Sequence, residues 1–157
     1  ETLKENHFIR KFCSEEKYYD IIFSAIENHN KYKIDKTLEG EKLLQAKIIR
    51  DADKIDILNL LVFETFETLY KKESIADEKI SEAVLESFFG EELDRKLLIT
   101  NMDKWLSNIG YIFDLNFKPS FRILKEKDYI NKIIDRTKTE DMEKVRKFAT
   151  EFIENNC

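Results

Sequence analysis

Three glycines and one proline in 157 residues leave this chain little with which to turn sharply. Ordinary domains carry about 7% glycine and about 5% proline. So few breakers predict long helices joined by short connections. The same scarcity removes the material for a glycine-rich phosphate loop, and neither a Walker-type loop nor a dinucleotide fingerprint is present. Apolar residues make up 42% of the chain, including twelve phenylalanines and six tyrosines. That is core material enough for one domain over residues 1–157.

Periodicity places the helices. A short one, or the tail of a longer one, is expected near Thr2–Phe12. A second, capped by Ser14, runs to about Asn30 with Tyr18, Ile22, Ala25 and Ile26 facing inward. A long helix, kinked or broken, covers about Glu41 to Tyr70. Asp77 is placed to cap a helix whose stripe is Ile80, Ala83, Val84 and Phe88, stopped by Gly90. Thr100 caps one carrying Trp105, Leu106, Ile109 and Phe113. Pro119 suits the first turn of the next. Tyr129, Ile130, Ile133 and Ile134 mark another. Thr139 opens the last, with Met142, Val145, Phe148, Ala149 and Phe152 inward. No alternating strand competes. The expected fold is an all-α, single-domain bundle of about seven or eight helices.

The net charge of −5 disfavours general nucleic-acid binding. Between Lys118 and Lys147 ten Lys/Arg face six Asp/Glu, a local charge of +4, but the signs interleave as on a solvated helix face. No apolar run reaches the roughly 20 residues of a membrane helix, and no signal peptide is visible. Cys13 and Cys157 make no close-spaced metal motif and no disulfide framework, so a reducing cytoplasm is the expected compartment.

The chemistry concentrates in Ile48-Ile49-Arg50-Asp51-Ala52-Asp53-Lys54-Ile55-Asp56-Ile57-Leu58. Helix spacing puts Ile49 and Ile57 one turn either side of Asp53, which directs that carboxylate inward. A carboxylate there needs a cation, a metal or several donors. Arg50, three residues earlier, can pair with Asp53 or hold a phosphate. Asp51 and Asp56 are less specific. His29 continues the stripe of Ile22, Ala25 and Ile26. It is either a core-edge histidine bonded to a backbone carbonyl or, with Asp53, one of two metal ligands. Lys31 and Lys54 are candidate anion contacts. His7 has a polar surround and is read as a surface residue. No serine–histidine–aspartate arrangement and no paired cysteine nucleophile is present, so nucleophilic catalysis is disfavoured.

Ala25-Ile26-Glu27-Asn28-His29-Asn30-Lys31, followed by Ala46-Lys47-Ile48-Ile49-Arg50-Asp51-Ala52-Asp53-Lys54-Ile55-Asp56, resembles the second half of an HD-domain metal-dependent phosphohydrolase. The run Ile112-Phe113-Asp114-Leu115-Asn116-Phe117 is similar to the C-terminal helical part of bacterial members. The resemblance implies an all-α fold and hydrolysis of a nucleotide or another small phosphate ester. A divalent metal (manganese, iron, nickel, zinc or magnesium) would activate water and polarise the phosphoryl group. Family members hold it with a histidine, a His-Asp doublet and a distant aspartate. The distant aspartate maps onto Asp53. His29 matches an additional histidine serving a second metal or the substrate phosphate, and Lys31 and Arg50 would then balance phosphate charge. The sequence contains no His-Asp pair. The first histidine and the doublet are therefore expected upstream of Glu1, in a longer protein. The alternative is a catalytically inactive helical module that binds a ligand or a protein.

Overall fold

The structure, a computed structural model, describes residues 3, 7–92 and 94–157. Among the described residues it is all-α, with no strand. The eight α-helices are α1 (Tyr19–Asn28), α2 (Gly40–Phe63), α3 (Phe66–Tyr70), α4 (Glu82–Phe89), α5 (Asn101–Ile109), α6 (Lys118–Lys127), α7 (Tyr129–Ile134) and α8 (Glu140–Asn156). No described helix is long and apolar enough to cross a membrane. Chain contacts fall into two compact units, residues 1–50 and 51–157, and the boundary lies within α2.

In the first unit, where a helix is expected near Thr2–Phe12, the described Leu3 is helical and a 3₁₀ turn covers Phe8–Lys11. Residues 1, 2 and 4–6 of that stretch lie outside the described residues. Ser14 does not open α1. A second 3₁₀ turn, Glu16–Tyr18, intervenes, and Tyr18 occupies the cap position without a side-chain bond. The Tyr19 hydroxyl donates to the Cys13 carbonyl at 3.1 Å, which ties the start of α1 to the preceding loop. α1 buries Ala25 and Asn28. The Asn28 amide donates to Ser24 O at 2.8 Å and its oxygen accepts from the Asp35 N–H at 3.0 Å. That pair of bonds anchors the loop following α1.

The second unit follows local chemistry closely. α2 stops at Phe63, and Thr65 starts α3 by accepting from the Thr68 N–H at 3.1 Å. The break is held from outside. The Arg136 guanidinium donates to the carbonyls of Leu61 and Glu64, the orphan acceptors at the end of α2. It also lies 4.6 Å from the Phe66 ring centroid and 5.3 Å from that of the fully buried Trp105. Burial pushes its own pKa down. Tyr70 completes this cluster, and its phenol is pushed up to about 12 by burial.

Thr100 forms a reciprocal capping box with Asp103 at the start of α5. Pro119 sits in the first turn of α6, and Thr139 caps α8 by accepting from the Met142 N–H. Gly90 closes α4. The cap of α4 is Ser81 and not Asp77. The Ser81 hydroxyl is used elsewhere, donating to Asp103. Ile80, Val84 and Phe88 are buried there, whereas Ala83 is exposed. Edge-to-face contacts of Phe113 with Phe88 at 5.0 Å and with Phe152 at 4.9 Å tie α4 and α8 to the 3₁₀ turn after α5.

Glu78 gives this unit an acid-sensitive joint. It accepts from the Lys72 ammonium at 2.7 Å and from the Asn101 backbone and side-chain N–H groups at 2.6 and 2.8 Å. The Lys72 bond, with the Asn101 donors, holds its carboxyl at about 2 against an ordinary 4.5. A depressed carboxyl stabilises the fold above its unfolded value. That contribution is lost as pH falls from about 4.5 towards 2. Urea midpoints across this window are expected to fall less in Glu78→Gln than in the wild type. Parallel curves would assign the acid sensitivity to other carboxylates.

Candidate functional site

α2 carries the charged stretch, and its buried residues are Ala46, Arg50, Asp51, Lys54, Leu58 and Leu61. This face is displaced by about one residue from the expected stripe. Ile49 is 38% exposed, and the Asp53 side chain retains 33% of its surface. The carboxylate that goes inside is Asp51, at 3%. It can do so because α6 begins with donors aimed at it. Asp51 accepts from the Asn116 N–H (2.9 Å to Oδ1), the Asn116 amide (2.8 Å), the Phe117 N–H (3.1 Å) and the Ser120 hydroxyl (2.6 Å). It therefore caps α6 from a distant part of the chain, where Phe117 offers no side-chain cap of its own.

Asp53 is held differently. Its Oδ2 lies 2.9 Å from the ammonium of Lys54, whose side chain is only 6% exposed. That ammonium also lies 4.5 Å from the centroid of the Tyr111 ring. Burying an ammonium is costly unless it is compensated. Here the Asp53 carboxylate and the ring supply the compensation, leaving part of the carboxylate accessible.

In the first unit, His29 ends α1 half-buried. Its Nδ1 lies 2.6 Å from the carbonyl oxygen of Ile26. A carbonyl can only accept, so the proton resides on Nδ1. In the neutral ring this leaves the Nε2 lone pair for another partner. Arg50 is 2% exposed and lies within the fold. It donates through Nη1 to the carbonyls of Asn28 (3.1 Å) and Lys31 (2.6 Å), and through Nη2 to that of Tyr32 (2.9 Å). It thus holds the turn bearing His29 and Lys31 by its backbone. Lys31 has an exposed side chain.

Comparison with family models, curated proteins and solved structures finds no match to this chain. Function must therefore be argued from these side chains. Among the described residues no three His, Cys, Asp or Glu side chains converge closely enough to hold a metal ion. His29 and Asp53 are ligand types, but the described residues do not complete a metal site.

Asp51 as a cap, Lys54 as the partner of Asp53, and both Tyr111 and Arg95 are not legible in the sequence. Arg95 donates to the Tyr111 hydroxyl at 2.6 Å. Most of these partners lie tens of residues apart along the chain, and no local spacing reveals them.

Proposed function

We propose that the protein is a metal-dependent phosphohydrolase of the HD-domain type, acting on a nucleotide or another small phosphate ester. The observation that carries this reading is the His29 ring. Its Nδ1 bond to the Ile26 carbonyl is shared by core-edge histidines and by metal-binding ones, and it leaves Nε2 as the atom available to ligate. Asp53 supports it as an accessible carboxylate held in place by a buried lysine. In this reading Asp53 is a ligand to a divalent cation of the manganese, iron, nickel, zinc or magnesium group, and His29 serves a second metal or the substrate phosphate. Lys31, with its exposed side chain, answers the phosphate charge.

The Asp53–Lys54 pair favours a second reading, in which that carboxylate is structural and the chain is a non-catalytic helical module binding a ligand or a protein. Hydrolysis of p-nitrophenyl phosphate by the full-length protein separates the two. Each metal is added in turn, with and without chelator. The enzymatic reading expects metal-dependent turnover that falls at least about 100-fold in Asp53→Asn, measured at a temperature where circular dichroism shows the variant folded, because loss of the Lys54 counter-charge lowers its thermal midpoint. Turnover absent with every metal would favour the binding module, and turnover equal in wild type and variant would remove Asp53 from the site.

A further inference from the structure

The Tyr111 ring gathers more charge than its own packing needs. Lys54 approaches the ring at 4.5 Å from the centroid, and the guanidinium carbon of Arg95 at 5.8 Å. Arg95 also donates from Nη2 to the Tyr111 hydroxyl at 2.6 Å. One carboxylate, Asp53, answers the Lys54 ammonium at 2.9 Å. Two cations thus meet a single ring, and the Asp53 carboxylate answers one of them.

The two cations differ in what they can still do. Lys54 is buried and neutralised beside Asp53. Arg95 is exposed, and its bond to Tyr111 takes one of the five N–H donors of a guanidinium. Its backbone is ordered by the preceding residue, because the Asp94 carboxylate accepts from the Lys96 N–H at 2.9 Å and starts the 3₁₀ turn Arg95–Leu97. The phenol oxygen and the ring face then set the orientation of the guanidinium. A planar fork held in this way suits bidentate recognition of a phosphate or a carboxylate.

We infer that Arg95 and Tyr111, with Lys54 against the same ring, form a binding site for the phosphate group of a small ligand next to the Asp53 carboxylate. The choice of phosphate over other anions rests on the phosphohydrolase reading, whereas the site itself does not. Within it, Arg95 is the group that touches the anion. Tyr111 orients Arg95, and Lys54 keeps Asp53 from repelling the incoming charge.

The test is titration of the full chain with inorganic phosphate, followed by nitrogen–proton correlation NMR at the Arg95 side-chain N–H and the Tyr111 amide. Expected is saturable binding in the millimolar range, weakened at least about tenfold in Arg95→Gln. Tyr111→Phe, which keeps the ring and removes the acceptor for Arg95, should fall between the two. Arg122→Gln, at an exposed arginine on α6, should bind as the wild type does. Circular dichroism confirms that each variant is folded. Equal titrations of wild type and Arg95→Gln, or no saturation by about 50 mM phosphate in either, would overturn the site.

The outcome separates from that of the hydrolase reading. Phosphate binding that depends on Arg95 in a protein that hydrolyses nothing keeps this site and removes the enzymatic reading. Turnover that depends on Asp53, with phosphate affinity and KM unmoved by Arg95→Gln, does the reverse.

Discussion

Replacing Asp51 by alanine is expected to lower stability by about 3–5 kcal/mol, the range in which loss of a buried charged partner falls. Asp51 is 3% exposed and accepts from two backbone N–H groups, an amide and a hydroxyl, at Asn116, Phe117 and Ser120. Alanine leaves the Phe117 N–H and the buried Ser120 hydroxyl without their acceptor, while the exposed Asn116 can turn to water or to the Asp114 carbonyl. Each buried donor without an acceptor costs about 1–3 kcal/mol, and the losses are not simply additive. Asparagine keeps the volume but turns a second donor towards existing donors, so its cost should be about half that of alanine. Ser120→Ala removes one donor together with its share of the bond and should cost only about 1 kcal/mol. Asp56→Ala, at an exposed position on the same helix, is the control and should stay within about 0.5 kcal/mol. Urea unfolding at constant m-value measures all four. Equal midpoints for Asp51→Ala and Asp56→Ala would mean that the cap on α6 contributes nothing.

Asp103→Ala should be comparably severe, again about 3–5 kcal/mol. The residue is fully buried. It accepts from the Ser81 N–H at 2.7 Å, the Ser81 hydroxyl at 2.8 Å, and the N–H groups of Ile99 and Thr100, both at 2.9 Å. One carboxylate therefore secures the start of α5 and the start of α4 together. Burial alone would raise its pKa. The donors from Thr100, Ser81 and Ile99 outweigh burial and hold it below the usual carboxylate range. Its stabilisation is accordingly complete above about pH 4 and declines as pH falls below that. The alanine variant should lose this part of the acid dependence along with its stability. Thr100→Ala provides the comparison, because it removes the helix cap but leaves the Ser81 bonds intact. A typical cap loss is about 1 kcal/mol. If the two variants unfold at the same urea concentration, Asp103 does nothing beyond capping its own helix.

These two aspartates also show which parts of the molecule could be read from its sequence. Thr100, Thr139, Pro119 and Gly90 act on neighbours three or four residues away, so the positions of their helices were legible. The all-α class followed from the same short-range chemistry and from the scarcity of breakers. Asp51 was not legible. Its donors stand at residues 116–120, and no spacing within α2 announces them. For that reason periodicity turned α2 by about one residue, favouring Ile49 and Ile57 over a face that contains Arg50, Asp51 and Lys54. An apolar stripe is a good guide only when the buried side chains are themselves apolar. The same limit applies at α1, where the buried polar side chain is Asn28, bonded to the loop, with His29 beside it half-buried. The Arg50 bonds to the backbone of that turn explain why a charged residue belongs inside. Nothing in a one-dimensional pattern distinguishes such an arginine from one that meets a phosphate.

The enzymatic reading comes down to whether Asp53, already 2.9 Å from a buried lysine, is also a metal ligand. Elemental analysis by plasma mass spectrometry answers this most directly, on full-length protein purified without chelator, as wild type and as Asp53→Ala. A stoichiometric transition metal in the wild type that is largely lost from a folded Asp53→Ala variant is the expected result. A metal-free wild type whose thermal midpoint ignores added manganese, nickel and zinc would contradict it.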